Sequence, residues 1–269
     1  MKNLIYQYWD GDDTSGNRAG VKAMKKYADK IGADYLYEHN ALWRSSAIGK
    51  YKPYFGCFKP LFTEEIYEKY DNVMFADTDV FPKAALTENI FDTFNSDLSI
   101  AQEPWQPANR AITTGQISGQ NDEKWADRIN SSWGPERPYP RDESGHLKVY
   151  NSGVVLWSNV GMRIARERFI PFNEYQKVMQ GLPAFYSCDQ PYLHAMLQVC
   201  EFDWSELDTK WNTCVHYIGN ANEVPRPVNM AGHHDANFVH IQLRAADHFS
   251  EEKLFKITNE SFPKWSLYD

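Results

Sequence analysis

Val73-Met74-Phe75-Ala76-Asp77-Thr78-Asp79-Val80-Phe81-Pro82 places an apolar run directly before two carboxylates that sit two residues apart. The run from Asn72 to Ala76 reads as a short buried strand. Burying either carboxylate at its end without a partner is costly. Hard divalent cations such as Mg²⁺ or Mn²⁺ prefer oxygen ligands and bridge one or two carboxylates to substrate phosphates, a need that Asp77 and Asp79 answer. A bare Asp-x-Asp is common on protein surfaces; the strand in front of it is what argues against a solvated pair.

Upstream, Asn3 to Trp9 predicts a first strand that stops at Asp10-Gly11-Asp12-Asp13, a turn-rich cluster where α/β proteins place ligand loops. From about Arg18 to Ile31, Val21, Met24, Tyr27, Ala28 and Ile31 recur at helical spacing, and Gly32 supplies a stop. Ala33 to Tyr37 reads as a second strand, and Lys59 to Tyr70 as one amphipathic helix leading to the strand before Asp77. Strand, helix, strand, helix, strand predicts an α/β fold: a Rossmann-like three-layer α/β/α body with a mostly parallel central sheet, its ligands at the carboxyl ends of the strands.

Downstream, Leu98 to Ala101 is a candidate strand. Glu103 to His146 is rich in Pro, Gly, Asn and Ser, with Trp105, Trp125 and Trp133 interspersed, and reads as a long irregular stretch of the kind that carries function, its aromatic-containing segment up to Trp133 building the acceptor side. Val149 to Trp157 returns to strand. Asn159 to Met179 reads as helix interrupted at Pro171, Ser187 to Val199 as a further helix, and Asn237 to Ile241 as a short apolar segment in the last lobe.

A chain of 269 residues fits one body with two lobes. Its net charge of −8 and pI near 5.5 argue against a nucleic-acid groove and suit a bound cation. The aromatic share, 15%, suits stacking on flat rings, although a large aromatic core explains most of it. Cys57, Cys188, Cys200 and Cys214 show no Cys-x-x-Cys spacing and read as buried free thiols. The N-terminal apolar run is too short for a signal peptide, and no run of about 18 apolar residues is present to span a membrane, so the expectation is a soluble, cytoplasmic protein.

With Tyr70-Asp71-Asn72 in front of it, the opening stretch resembles the Asp-x-Asp strand of GT-A glycosyltransferases, in the manner of families 8, 32 and 34. Ile5-Tyr6-Gln7-Tyr8-Trp9-Asp10-Gly11 is similar to the first strand of these folds, whose carboxyl end holds base and ribose, which makes Tyr8 or Trp9 the stacking face. Asn151-Ser152-Gly153-Val154-Val155-Leu156 resembles the Asn-Ala-Gly-Val strand, where the Asn faces the donor sugar and small residues allow close approach; Ser replaces Ala. Asp189-Gln190-Pro191-Tyr192-Leu193 resembles the Asp-Gln motif that opens the helix beneath the transferred sugar, and Trp211-Asn212 matches a Trp-Asn pair that often follows. In the C-terminal metal motif, family 8 shows His, then Gly two residues later and Lys five residues later. Here His240 is retained, Gln242 stands in place of Gly and Ala245 in place of Lys, with Arg244 one place earlier. That departure touches the phosphate contacts and leaves open an unusual branch of the fold or a family other than 8.

The resemblance implies a single catalytic domain over 1–269, with 1–102 as the nucleotide-binding half and 103–269 as the acceptor-binding half and metal-site lobe. It implies transfer of a sugar from a nucleotide-sugar, a UDP-sugar foremost, to a hydroxyl acceptor such as a glycan, with Mn²⁺ or Mg²⁺ held by Asp77, Asp79 and His240. Donor contacts then fall to Tyr8, Trp9, Lys59, Asp77, Thr78, Asn151, Ser152, Gly153 and Gln190, acceptor contacts to Glu103 and Trp105, and the catalytic role to Asp189. Families 8, 32 and 34 favour retention of configuration, but GT-A folds support both outcomes.

On their own chemistry, several of these residues keep a second reading. Asp189 falls at a helix start, where Ser187 with Gln190 forms a capping box or Asp189 itself caps before Pro191; either way the dipole favours its ionised form. An ionised Asp189 can stabilise positive charge on a sugar or accept a proton from an acceptor hydroxyl, and it can equally be a plain cap. Lys59 beside Pro60 is ordinarily an exposed helix start. His233, His234 and Asp235 read as a solvated loop. Two rivals remain at this level. One is a haloacid dehalogenase-like phosphatase, whose motif wants Thr or Val where Phe81 stands; the other is a catalytically silent sugar- or nucleotide-binding protein of the same fold.

Overall fold

A computed structural model gives the structure of residues 1–39, 55–134, 137–200, 202–218, 226–229, 235–242, 246 and 249–259. Strand β1 (Asn3–Trp9) lies in a six-stranded sheet between β2 (Asp34–His39) and β3 (Asn72–Ala76), parallel to both. Beyond β3 come β6 (Tyr150–Ser158), β5 (Leu98–Gln102) and β7 (Trp204–Leu207), giving the order β2-β1-β3-β6-β5-β7. β6 runs antiparallel to both neighbours, and β5 and β7 are parallel to each other, so five strands share one direction and the sheet is mostly parallel. The antiparallel β6 is what brings Asn151, Ser152 and Gly153 to the site: entering from the edge where β3 and β5 end, it pairs Val154 with Ala76 and Tyr150 with Gln102. Between those points the β5–β6 register slips, a bulge of the kind that re-aims side chains beside active sites.

A second sheet, in the order β4-β10-β8-β9, is formed by β4 (Val80–Pro82), β10 (Phe238–Ile241), β8 (Thr213–Ile218) and β9 (Arg226–Asn229). The Asp77-Thr78-Asp79 turn therefore links the last residue of a strand in one sheet to the first residue of a strand in the other.

Helix α1 (Ser15–Ile31) is capped by Thr14, whose side chain accepts the Asn17 N–H, and ends at Gly32 in the left-handed region, φ 72°. It packs on the Asp-x-Asp turn so tightly that a Cβ at Gly20 would lie 1.8 Å from the Thr78 carbonyl oxygen. The main core on one face joins Trp157, Phe58, Tyr192, Phe202 and Tyr175; the other gathers Met24, Tyr27, Ile5, Met74, Leu156 and Trp211.

The structure corrects four expectations. Lys59 to Tyr70 is not one helix but α2 (Lys59–Phe62) and α3 (Glu64–Tyr67), broken at Thr63, whose backbone is extended and whose hydroxyl bonds the Lys59 carbonyl. The stretch 103–146 holds two helices, α4 (Gln106–Ile112) and α5 (Gly119–Trp133). Pro107 suits the first turn of α4, and Ser118 caps α5 by accepting the Asn121 N–H. Asp122, Trp125, Ala126 and Ile129 form the buried stripe of α5, so Trp125 and also Trp133 pack into the core rather than toward a ligand. Finally, α8 (Asp189–Val199) starts after Cys188, with no side-chain cap; neither Ser187 nor Asp189 fills that position. The interruption at Pro171 is where expected, between α6 (Asn159–Arg168) and α7 (Phe172–Val178). Helix α9 (Glu251–Asn259) and strands β4, β7, β8 and β9 carry no sequence expectation of their own. The cysteines are free thiols, three of them buried and Cys188 half-buried. Among the described residues no helix is long and apolar enough to cross a membrane.

Candidate active site and metal centre

At the edge where β1, β3 and β5 end, a cleft of about 720 Å³ is lined by Tyr8, Trp9, Asp77, Thr78, Asp79, Glu103, Trp105, Asn151, Ser152, Asp189, Gln190, His240 and Gln242, among others. Asp77, Asp79 and His240 each turn one ligand atom into it, and these atoms lie within 4.8 Å of one another. His240 comes from β10, where it pairs with Val80, and the Ile241 N–H bonds the Asp79 carbonyl at 3.0 Å, so the second sheet delivers the imidazole to the carboxylates. Its Nε2 is 3.1 Å from Asp79 Oδ1 and 4.0 Å from Asp77 Oδ2.

The turn itself is held from below. Gln7 Nε2 donates to the Asp77 carbonyl at 2.9 Å, Thr78 Oγ1 donates to Asn17 Oδ1 at 2.8 Å, and the Asp77 N–H bonds the Gly153 carbonyl at 2.8 Å. Thr78 thus reaches the cleft wall, but its hydroxyl is spent on α1.

Burial pushes the Asp77 carboxyl well above the usual carboxylate range, the like charge of Asp79 adds to this, and His240 opposes it. Burial draws the His240 imidazole down, but Asp79, by charge and hydrogen bond, together with Asp77 and Glu103, outweighs it and the net shift is upward. Two carboxylates and an imidazole crowded in this way form a donor set that fits a hard or borderline divalent cation, which relieves the like-charge repulsion. The cluster can bind a metal ion.

Asp189 stands in the first turn of α8 and accepts the Ser152 hydroxyl at 3.1 Å. Burial raises its pKa to about 6, against the lowering effect of Ser152, the backbone N–H groups of Gln190 and Asp189, and Cys188. The dipole position read from the sequence is present, but burial outweighs it.

The remaining expected residues are placed as follows. Tyr8 and Trp9 line the cleft at the end of β1, and Trp9 Nε1 donates to the Asp12 carbonyl. Lys59 is buried, 2.5 Å from Glu38 Oε2 and 5.1 Å from the Tyr8 ring centroid, so it braces the Tyr8 ring and is not brought to the cleft lining. Gly153 lies behind His240: a Cβ there would meet the ring at 2.2 Å. Glu103 is 3% exposed and receives Asn151 Nδ2 at 2.6 Å and Gln242 Nε2 at 2.9 Å, which makes it part of the site's wall. Trp105 lines the cleft with Gln106, Asn109, Thr113, Ile117 and Phe185, residues that no motif in the sequence marks. Arg110, also unflagged, is buried there with its guanidinium 2.9 Å from Asp122 and 5.0 Å from the Phe185 centroid. His233 and His234 lie outside the described residues, as do Leu243, Arg244 and Ala245.

The sequence matches no protein-family model and no curated protein. Solved structures do match. A glycosyltransferase involved in the glycosylation of the major capsid of PBCV-1 aligns over 94% of this chain and 98% of its own length, with TM-score 0.52 and 12% identity. The WbbM bifunctional glycosyltransferase aligns over 97% of this chain with TM-score 0.52 and 13% identity, and this chain spans about half, 52%, of it. At such identities the likeness speaks for the fold. The chain has the fold of the GT-A glycosyltransferases, with an Asp-x-Asp and a histidine gathered at the carboxyl edge of its sheet.

Proposed function

We propose that the chain is a metal-dependent glycosyltransferase that moves a sugar from a nucleotide-sugar, a UDP-sugar foremost, to a hydroxyl acceptor such as a glycan. The observation that carries this reading is the convergence of Asp77, Asp79 and His240 in the same cleft as Asp189, on a GT-A fold. A divalent cation, Mn²⁺ or Mg²⁺, held by those three residues supplies positive charge to the donor's diphosphate. Tyr8 and Trp9, at the end of β1, offer aromatic faces for the base. Asn151, Ser152 and Gln190 border the donor sugar, and Ser152 orients the Asp189 carboxylate by hydrogen bond. At neutral pH that carboxylate is ionised and stabilises positive charge developing at the anomeric carbon. Trp105 with Gln106, Asn109 and Thr113 forms the acceptor wall. The whole chain acts as one catalytic domain, with residues 1–102 as its nucleotide-binding half and 103–269 as its acceptor-binding half and metal-site lobe.

The test is release of nucleoside diphosphate from a panel of UDP- and GDP-sugars, with and without Mn²⁺, by wild type and Asp79→Ala. Metal-dependent release from one donor, abolished by the substitution, is expected. Silence across the panel together with hydrolysis of phosphomonoesters would overturn the reading in favour of a phosphatase.

A further inference from the structure

His240 has a side chain 4% exposed, so its two ring nitrogens depend on protein partners rather than water, and those partners decide which nitrogen carries the proton. Nε2 faces Asp79; Nδ1 lies 2.9 Å from Asn212 Oδ1. Cys214 Sγ is also near Nδ1, but at 3.9 Å it is the weaker partner. The Asn212 amide is not free to turn. Its Nδ2 donates to Asn151 Oδ1 at 2.8 Å, and the same oxygen accepts the Gly153 N–H at 2.8 Å. Asn151 Nδ2 in turn donates to Glu103 Oε1 at 2.6 Å.

A backbone N–H can only donate and a carboxylate only accept. Gly153 and Glu103 therefore assign the two ends of the Asn151 amide, Asn151 assigns the Asn212 amide, and Asn212 presents an oxygen to Nδ1. We propose that Asn212 is a positioning residue for the reaction: its oxygen takes the Nδ1–H of His240, so that Nε2, which donates to Asp79 in the metal-free site, is the nitrogen whose lone pair meets a cation in the space shared with Asp77 and Asp79, and Glu103 anchors Asn212 through Asn151. On this reading Glu103 serves the metal ligand rather than the acceptor, and Asn151 has its amide committed inside the wall. Gln242, which departs from the family 8 pattern, becomes a second donor to Glu103 Oε1 at 2.9 Å. The hydrogen-bond chain from Glu103 to Asn212 exists whether or not a cation binds; release of the Nε2 proton from Asp79 to a bound cation rests on the metal-dependent reading.

The experiment is a long-range ¹H–¹⁵N correlation spectrum of histidine-labelled full-length protein in saturating Mg²⁺, with His240→Gln to assign the ring, followed by titration of Mn²⁺ into the metal-free protein monitored by the resonance of the free ion. The wild type is expected to show, in Mg²⁺, a protonated Nδ1 and an Nε2 without a proton. Asn212→Leu is expected to lose that signature and to weaken Mn²⁺ binding by about 10- to 100-fold. Asn212→Asp, which still accepts from Nδ1–H, is expected to keep the signature and to restore most of the affinity. A wild-type ring that in Mg²⁺ carries its proton on Nε2 and none on Nδ1 would overturn the proposal without any variant, as would an Asn212→Leu protein with unchanged tautomer and Mn²⁺ affinity. A wild type whose His240 donates from both ring nitrogens below its pKa and that binds neither Mg²⁺ nor Mn²⁺ would uphold the hydrogen-bond assignment and overturn the metal-dependent reading.

Discussion

Gly153 has no room for a side chain: an added Cβ would lie 2.2 Å from His240 Cε1 and 2.8 Å from Asn151 Oδ1, both in buried side chains. Gly153→Ala is therefore expected to displace the imidazole, costing about 1–3 kcal/mol of stability and lowering Mn²⁺ affinity about tenfold or more. Thermal unfolding and metal titration of the same sample check both. Asp189 carries a different conflict. Its folded pKa, about 6, lies above the 3.8 of a free aspartate, so folding favours the protonated form and the ionised form is destabilising. The penalty is absent below the unfolded value, develops as pH rises from 3.8 to about 6, and amounts to about 3 kcal/mol at neutral pH. Asp189→Asn is expected to abolish transfer while raising urea-unfolding stability in chelator at neutral pH, a gain that vanishes toward pH 4. An unchanged stability would remove the argument from burial. At this scale Asp77, Asp79 and His240 were legible because strand, carboxylate pair and histidine are visible as residue types. The direction of Glu103 and Lys59 was not, since each is decided by partners far away in sequence, Asn151 and Gln242 for one, Glu38 for the other.

At the scale of elements, α8 sets Asp189 at one end and buries His194 one turn later, between Trp125, Tyr139 and Tyr150 at centroid distances of 5.2, 5.6 and 5.0 Å. Burial, with a smaller push from Arg110, lowers the His194 pKa from 6.5 to about 3. Because the folded value is depressed, the stability of the neutral ring is full above 6.5 and is lost as pH falls toward 3, by up to about 1.4 kcal/mol per pH unit. His194→Phe is expected to remove about 2 kcal/mol of the stability lost between pH 7 and about pH 5, read from urea midpoints; an acid dependence identical to wild type would contradict this. The first strand and helix were readable in sequence because period and stop signals agree there, as at Gly32. The turn at Thr63 and helices α4 and α5 were not. Thr63 breaks a run whose apolar spacing is otherwise helical, and the Pro, Gly, Asn and Ser of 103–146 mask the buried stripe Asp122, Trp125, Ala126 and Ile129.

Across the whole molecule, the alternation of strands and helices predicted a mostly parallel sheet, and five of its six strands run one way. The one reversed strand and the second sheet could not be read from local pattern, because pairing such as Phe238 with Pro82 joins segments more than half the chain apart. Yet those two features make the site: β6 returns Asn151 to the carboxyl edge, and β10 carries His240 to Asp79. A chain of net charge −8 that gathers Asp77, Asp79, Glu103 and Asp189 around one cleft offers poor electrostatics for a bare diphosphate. Anion binding there should therefore depend on a cation. The direct measurement is calorimetric titration of UDP and GDP into wild type and Asp79→Ala, each in Mn²⁺ and in chelator. Binding of one nucleotide by the wild type in Mn²⁺, lost in chelator and lost in Asp79→Ala, is the predicted result; equal binding in chelator, or by the variant, would contradict the account.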